Sequence, residues 1–248
     1  MFGLFVLFAL GCLGYWLSTR SRNGRPGVGR NPERCAQHGL FAPSTRAQLR
    51  GEAGEAAVLA ELRRALTWLC GDNFHLHDGA VLIHHAPGTA FPTAEIDHLA
   101  VTPFGIFVIE TKNWSGSIAP GAHRDELVCI SPDGASEARR SPLAQNSTKV
   151  AFLNDKLPRV WPIDGLGVFA SPECSLHPDL PLSLIHISEL RHWMRQRRRE
   201  FALSGRKRVN VKTAWQAILL NATISESEIV FHRNRVRDNP KGGPGNAV

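Results

Sequence analysis

Two carboxylates and a lysine brought to one place can carry out metal-assisted chemistry on a phosphate ester, and this sequence offers one such set. Asp97 and Glu110 are separated by a stretch that reads as two strands and a turn, and Lys112 stands two residues beyond Glu110. Oxygen ligands of this kind suit Mg²⁺, with Mn²⁺ as a substitute, because magnesium keeps several waters and needs only one or two carboxylates. The ion would offset carboxylate repulsion and stabilise charge developing on phosphoryl oxygens. Lys112 could orient or help deprotonate the attacking water, or stabilise transition-state charge. Glu55, upstream, could hold a water of the metal's outer shell or a second ion. The expected reaction is hydrolysis of a phosphodiester.

Such chemistry requires elements that converge. Residues 95–101 and 105–112 read as strands joined across Thr102, Pro103, Phe104 and Gly105. With that four-residue connection Val101 opposes Ile106, and the same register sets Asp97 opposite Glu110. Like charges directly opposed across strands repel, so a positive group is expected between them. Period-two alternation puts Ile106, Val108, Glu110 and Lys112 on one face and Phe107 and Ile109 on the other. A slip of one residue would separate the two carboxylates by face. The helical pattern begins at Ser44, with Ser44 or Thr45 as N-cap, and Leu59, Leu62, Leu66 and Leu69 form its apolar stripe. On a helical wheel these leucines fall within about 40° of Glu55. An acid so placed needs a partner, unless it lies at a helix start that still reaches water. Gly51 and Gly54 would let another backbone come close. Further strands are expected at residues 80–85, near Ile118, and at 127–130, 165–170 and 182–187. Between them a helix starts at Ser141 with Pro142 at its first position and Val150, Leu153 and Leu157 inward.

The spacing from Asp97 to Glu110-Thr111-Lys112 is similar to the PD-(D/E)XK motif. The longer text EIDHLAVTPFGIFVIETKNWSGSI, preceded by GEAGE at residues 51–55 and followed by SPLAQN at 141–146, resembles the NERD family of nuclease-related domains. The resemblance covers residues 51–169 and implies an α/β fold, a restriction-endonuclease-like αβββαβ core with a mixed central sheet flanked by helices. It carries over Glu55, Asp97, Glu110 and Lys112 as the site and gives Gln145 a supporting place near phosphate or metal. It also implies a bacterial nuclease, with DNA favoured over RNA. A non-cleaving nucleic-acid-binding or membrane-surface module on the same fold is the alternative.

Composition is that of an ordinary globular chain, with 43% hydrophobic and 21% charged residues in 248. Five cysteines without paired spacing argue against a disulfide framework. Cys174 with His177, and Cys70 with His75 and His77, lack the second pair a structural zinc site needs. The net charge of +7 is concentrated: from Ser188 onward 13 Lys and Arg face 5 Asp and Glu. Such a surplus suits a phosphate-bearing partner, nucleic acid or anionic lipid. The candidate contacts are Arg197, Arg198, Arg199, Arg206, Lys207 and Arg208, with Trp114 as either a substrate contact or a packed turn residue. Trp193, Phe201 and Trp215 read as core residues of C-terminal helices.

Residues 2–17 are continuously apolar or small, with Tyr15 and Trp16 near the end as interfacial aromatics, and Arg20, Arg22, Arg25 and Arg30 follow. As a helix this run reaches only about 24 Å, short for a hydrocarbon core of about 30 Å. An uncleaved single-pass anchor in the inner membrane with the C-terminal domain in the cytoplasm is expected, with a signal peptide as the alternative. The expected organisation is an anchor at 1–19, a linker at 20–43, the main domain at 44–188, a basic helical extension at 189–232 packed on or beside it, and a disordered tail at 233–248.

Overall fold

Thr45 begins the first helix with a capping box: its hydroxyl accepts the Gln48 amide while the Gln48 side chain accepts the Thr45 N–H. The helix, α1 (Arg46–Cys70), ends at Gly71, whose φ of 61° favours glycine. The computed structural model describes residues 45–239. The expected anchor, the linker and residues 240–248 lie outside the described residues. Among those described, no helix is long and apolar enough to cross a membrane.

After α1 come β1 (His75–Leu76), β2 (Val81–Ile83), β3 (Ala94–Ile96), β4 (His98–Thr102) and β5 (Gly105–Lys112). Next are β6 (Gly116–Pro120), β7 (Glu126–Ile130), β8 (Ser136–Arg140), α2 (Pro142–Lys156), β9 (Ile163–Phe169), β10 (Cys174–Leu176) and β11 (Leu184–His186). The chain closes with α3 (Leu190–Leu203), α4 (Val211–Leu219), β12 (Ala222–Thr223) and α5 (Glu226–Asp238).

The central sheet has five strands in the order β1-β4-β5-β9-β11. It is mixed: β4 pairs antiparallel with β5, and β9 pairs parallel with both β5 and β11. Gly105 to Thr111 are all buried, as the continuous apolar run of an interior strand requires. Its two faces diverge as the alternation demands. Phe107 and Ile109 meet Leu62 and Leu66 of α1 and Met194 of α3. Ile106 and Val108 meet Leu153 of α2 and Ala214 and Ile218 of α4. Each of these side chains is essentially dry, contributing about 1.5–3 kcal/mol apiece for the larger ones.

From Thr102 to His98 the register matches the expectation, with Val101 opposite Ile106 and His98 opposite Ile109, but the ladder stops there and the expected Asp97–Glu110 pair is not part of it. The connection is tighter than a four-residue loop, since Thr102 and Gly105 also pair, leaving Pro103 and Phe104 as the turn. The single strand expected over 95–101 is instead broken at Asp97. Its first half, β3, pairs with β2 in a small sheet of order β12-β2-β3, while its second half, β4, stays in the central sheet. A further sheet, β10-β6-β7-β8, carries the hairpins after the site.

The basic extension is helical and packs on the domain: α3 lies against α1, α4 against β4, and α5 against β2. The expectation of a disordered tail from 233 is corrected for residues 233–238, which continue α5. Ile229 and His232 are buried, and Arg233 and Arg235 bond to Glu95 and Thr93, so this stretch is tied to the small sheet.

Candidate active site

The C-terminal end of β5 is the meeting point. Glu110 is 7% exposed, and burial alone would favour its neutral form. Desolvation pushes its carboxyl up, but two lysines outweigh it and hold it below its usual range. Lys112 Nζ donates to Oε1 at 2.7 Å and Lys149 Nζ to Oε2 at 2.7 Å. Lys149 comes from α2, which lies against the same sheet face as Glu110. Asn146, one turn earlier and 1% exposed, fixes that helix by donating to the carbonyls of Val108 and Leu166 on adjacent strands.

Asp97 stands at the strand break. Its Oδ2 accepts the Thr111 amide at 2.9 Å, and among the described residues it joins no ion pair. Desolvation first, and the Glu110 charge second, push its carboxyl up to about 7, against the opposing pull of Lys149, the Thr111 amide and Lys112. His98, the next residue, is held by the Thr111 hydroxyl at 3.1 Å. Its pKa is pushed down to about 4 by burial, so the ring is neutral beside the acids.

Glu55 reaches this end of the sheet from the opposite side, on α1. The approach is set by Gly54: a Cβ there would lie 2.8 Å from the Asn113 Cβ, just past Lys112. Asn113 ties the contact by donating to the Arg50 carbonyl at 2.7 Å. Gly51, by contrast, faces open space, so only one of the two glycines serves close approach. Glu55 is half-buried, and desolvation raises its pKa; Arg233 opposes the rise while Glu95, Glu110 and Glu52 add to it.

Two acidic-site neighbours escaped the sequence reading, and one more cation. Glu95 precedes Asp97 by two residues, so the alternation that picked out Asp97 also marked it. Lys149 lies four residues after Gln145, on the same helix face, and could have been found from that spacing. Arg233 had no local signal; it reaches Glu95 only through tertiary structure. Gln145 is half-buried one turn before Lys149, and no hydrogen bond joins its side chain to the site among the described residues.

The other expected contacts lie elsewhere. Trp114 packs edge-on against Phe169 at 5.7 Å with the Arg139 guanidinium 4.9 Å above its ring, as a packed turn residue does. Arg198 donates to the Leu69 carbonyl at the far end of α1, while Arg197 pairs with Glu200 and covers Trp193. Arg198, Arg206 and Arg208 line a cavity of about 440 Å³ with Phe104 and Phe201, beside the Pro103–Phe104 turn. That turn and Lys112 are at opposite ends of β5, separated by about 23 Å at 3.3 Å per residue. The structure therefore does not bring the basic clusters to the carboxylates. Trp193 is buried and Trp215 stacks on His75 at 4.0 Å, so both are packing residues.

Among the described residues, no group of three or more His, Cys, Asp and Glu side chains is placed to hold a metal ion. The donor set that does exist is a pair, Asp97 and Glu110. It has the oxygen chemistry a hard cation takes, and Asp97 lacks a bonded counter-charge; Glu110 already spends both oxygens on lysines.

Comparison with known proteins adds one assignment. Residues 50–170 match the family model of NERD, the nuclease-related domain. This match is consistent with placement in the PD-(D/E)XK superfamily. No curated protein and no solved structure matches the chain.

Proposed function

We propose that this chain, whose residues 50–170 form a nuclease-related domain, hydrolyses phosphodiester bonds in nucleic acid, DNA in preference to RNA. The observation that carries the reading is the Asp97 carboxyl, which joins no ion pair among the described residues, near a Glu110 bonded to both Lys112 and Lys149. Asp97 and Glu110 would hold Mg²⁺ or Mn²⁺. Such an ion supplies Lewis-acid stabilisation of charge on the phosphoryl oxygens. Lys112 is buried enough to keep its ammonium fixed on Glu110, where it can orient water or meet developing negative charge. Lys149 holds the other Glu110 oxygen and so fixes the carboxylate plane. Glu55, with its raised pKa, is suited to accept a proton from water at the rim of the site. Gln145, on the Lys149 face of α2, would assist near phosphate.

DNA is favoured because the motif is shared with restriction-type nucleases. The experiment is digestion of plasmid and of RNA by the full chain with and without Mg²⁺, beside Glu110→Ala and Lys112→Ala. Metal-dependent cleavage lost in both variants supports the reading. Intact substrate at every metal concentration overturns it.

A specific observation favours a second reading, a non-cleaving nucleic-acid-binding or membrane-surface module. Both Glu110 oxygens are taken by lysines, while the exposed basic clusters stand apart from the acids. Phosphate affinity without cleavage, abolished by neutralising Arg206, Lys207 and Arg208, is the outcome expected from that module.

Tethering to the inner membrane through residues 1–19, with the domain in the cytoplasm, completes the proposal. Deleting residues 1–20 should release the protein from membranes. Undiminished sedimentation would make the basic clusters the leading membrane contact.

A further inference from the structure

Arg233 belongs to α5, well past the matched nuclease-related segment, yet it stands among the acids of the site. Its Nε donates to both Glu95 oxygens at 3.0 and 3.1 Å, and its Nη2 donates to Oε1 at 2.5 Å. Exposed ion pairs commonly contribute little, but this one is asymmetric. The Glu95 side chain is only 19% exposed and the Arg233 side chain 55%. A mostly buried carboxylate therefore grips one edge of a guanidinium whose other nitrogen, Nη1, makes no hydrogen bond among the described residues.

The backbone behind Arg233 is anchored. Ile229 and His232 are buried, Arg235 Nη2 donates to the Thr93 hydroxyl at 2.7 Å, and His232 Nδ1 shares that hydroxyl at 2.8 Å. Thr93 directly precedes β3, and Glu95 lies two residues before Asp97, so α5 is fastened to the strand that delivers the acid. The guanidinium is close enough to Glu55 and Asp97 to feel both charges.

We infer that Arg233 is a phosphate-contacting residue of the site, oriented by Glu95 so that its free Nη1 edge faces an incoming phosphodiester. This rests on the proposed nucleic-acid reading and extends it by assigning a residue from outside the nuclease-related segment. A planar fork held on one edge is pre-organised to donate from the other, which is the geometry by which arginine recognises phosphate oxygens. A lysine at 233 would keep the charge and lose the fork.

The test uses full-length chain, its Arg233→Ala and Arg233→Lys variants, and a short DNA duplex. With Mg²⁺ present, Arg233→Ala should raise KM about tenfold, the loss of one charge-assisted contact, with kcat nearly unchanged. Arg233→Lys should recover part of that loss. In EDTA, the slope of log affinity against log salt should fall by about 0.9 in Arg233→Ala, the signature of one phosphate contact removed. Unchanged KM and unchanged salt slope overturn the inference, even where the wild type cleaves and the proposed function stands. A lowered melting temperature with an unchanged slope also overturns it, since Arg233 is then only a tie between α5 and β3. A wild type that binds without cutting removes the proposed hydrolysis, and the salt slope still decides the role of Arg233. A wild type that neither binds nor cuts overturns both.

Discussion

Replacing Asp97 with Asn should make the metal-free protein more stable at neutral and alkaline pH. The carboxyl, ordinarily near 3.8, is lifted to about 7 by burial and by Glu110. Its folded-state pKa exceeds the unfolded one, so the folded protein holds an extra proton between about pH 4 and 7. Stability from this group is therefore complete below that window and declines as pH rises through it. The displacement corresponds to about 4 kcal/mol against the folded state above pH 7. Asparagine removes that charge but leaves the Thr111 amide with a neutral acceptor, a loss of about 1 kcal/mol. The net gain is about 3 kcal/mol, which for a domain of this size raises Tm by about 6–12 °C. Melting curves in EDTA at about pH 8 and pH 4.5 check this: a large gain at the first and little or none at the second. Saturating Mg²⁺, at about a hundred times its Kd, should add about 2.7 kcal/mol to the wild type and far less to the variant. A variant no more stable than wild type at pH 8, or one that keeps the full Mg²⁺ shift, refutes the reasoning and makes Asp97 a hydrogen-bonding residue only.

Glu110→Gln should be destabilising by about 3–5 kcal/mol in urea unfolding, because removing one partner strands buried charges; Lys112 and Lys149 have side chains only 16% and 10% exposed. Lys149→Met removes a charge that restrains Asp97, so Asp97 should hold its proton to higher pH. The acid limb of the cleavage profile, measured from pH 5 to 9, should move to higher pH. The two helix glycines should diverge under chemical denaturation. Gly51→Ala, facing open space, should stabilise by up to about 1 kcal/mol, while Gly54→Ala, pressed on Asn113, should cost about 1–3 kcal/mol and reduce cleavage.

What could be read from the sequence was whatever local periodicity encodes. The alternation across Thr102 to Gly105 gave the pairing of Val101 with Ile106 and placed Glu110 on the Val108 face. The apolar stripe of α1 gave Leu62, Leu66 and Leu69 as core and centred Glu55 on the same face, where the residue is half-buried. The break at Asp97 was not readable, because no Gly or Pro marks it and only the pairing partner changes, from β2 for β3 to β5 for β4. The strand β8 escaped because Ser136–Arg140 is a largely exposed, charged edge strand with no apolar alternation. The site's cations divide by range. Lys112 follows from the strand period and Lys149 from the helix period, whereas Arg233 meets Glu95 across 138 residues and no local pattern reports it.

The small β12-β2-β3 sheet has a consequence for the order in which the molecule is made. Asp97 stands at the junction of that sheet with the central one, and two of the junction's supports, β12 and α5, are encoded more than a hundred residues after it. At translation rates of 5–20 residues per second, roughly 7–27 s separate the emergence of Asp97 from that of Arg233. During that interval β2 and β3 form at most a two-stranded ribbon, which is marginal in water. The nascent chain therefore carries Asp97 before the small sheet beside it is complete, and the ties from α5 to Thr93 and Glu95 form last. The same ordering implies that excising the nuclease-related segment at residue 170 would yield a fragment bearing the acidic residues and Lys112 without the supports that seat Asp97.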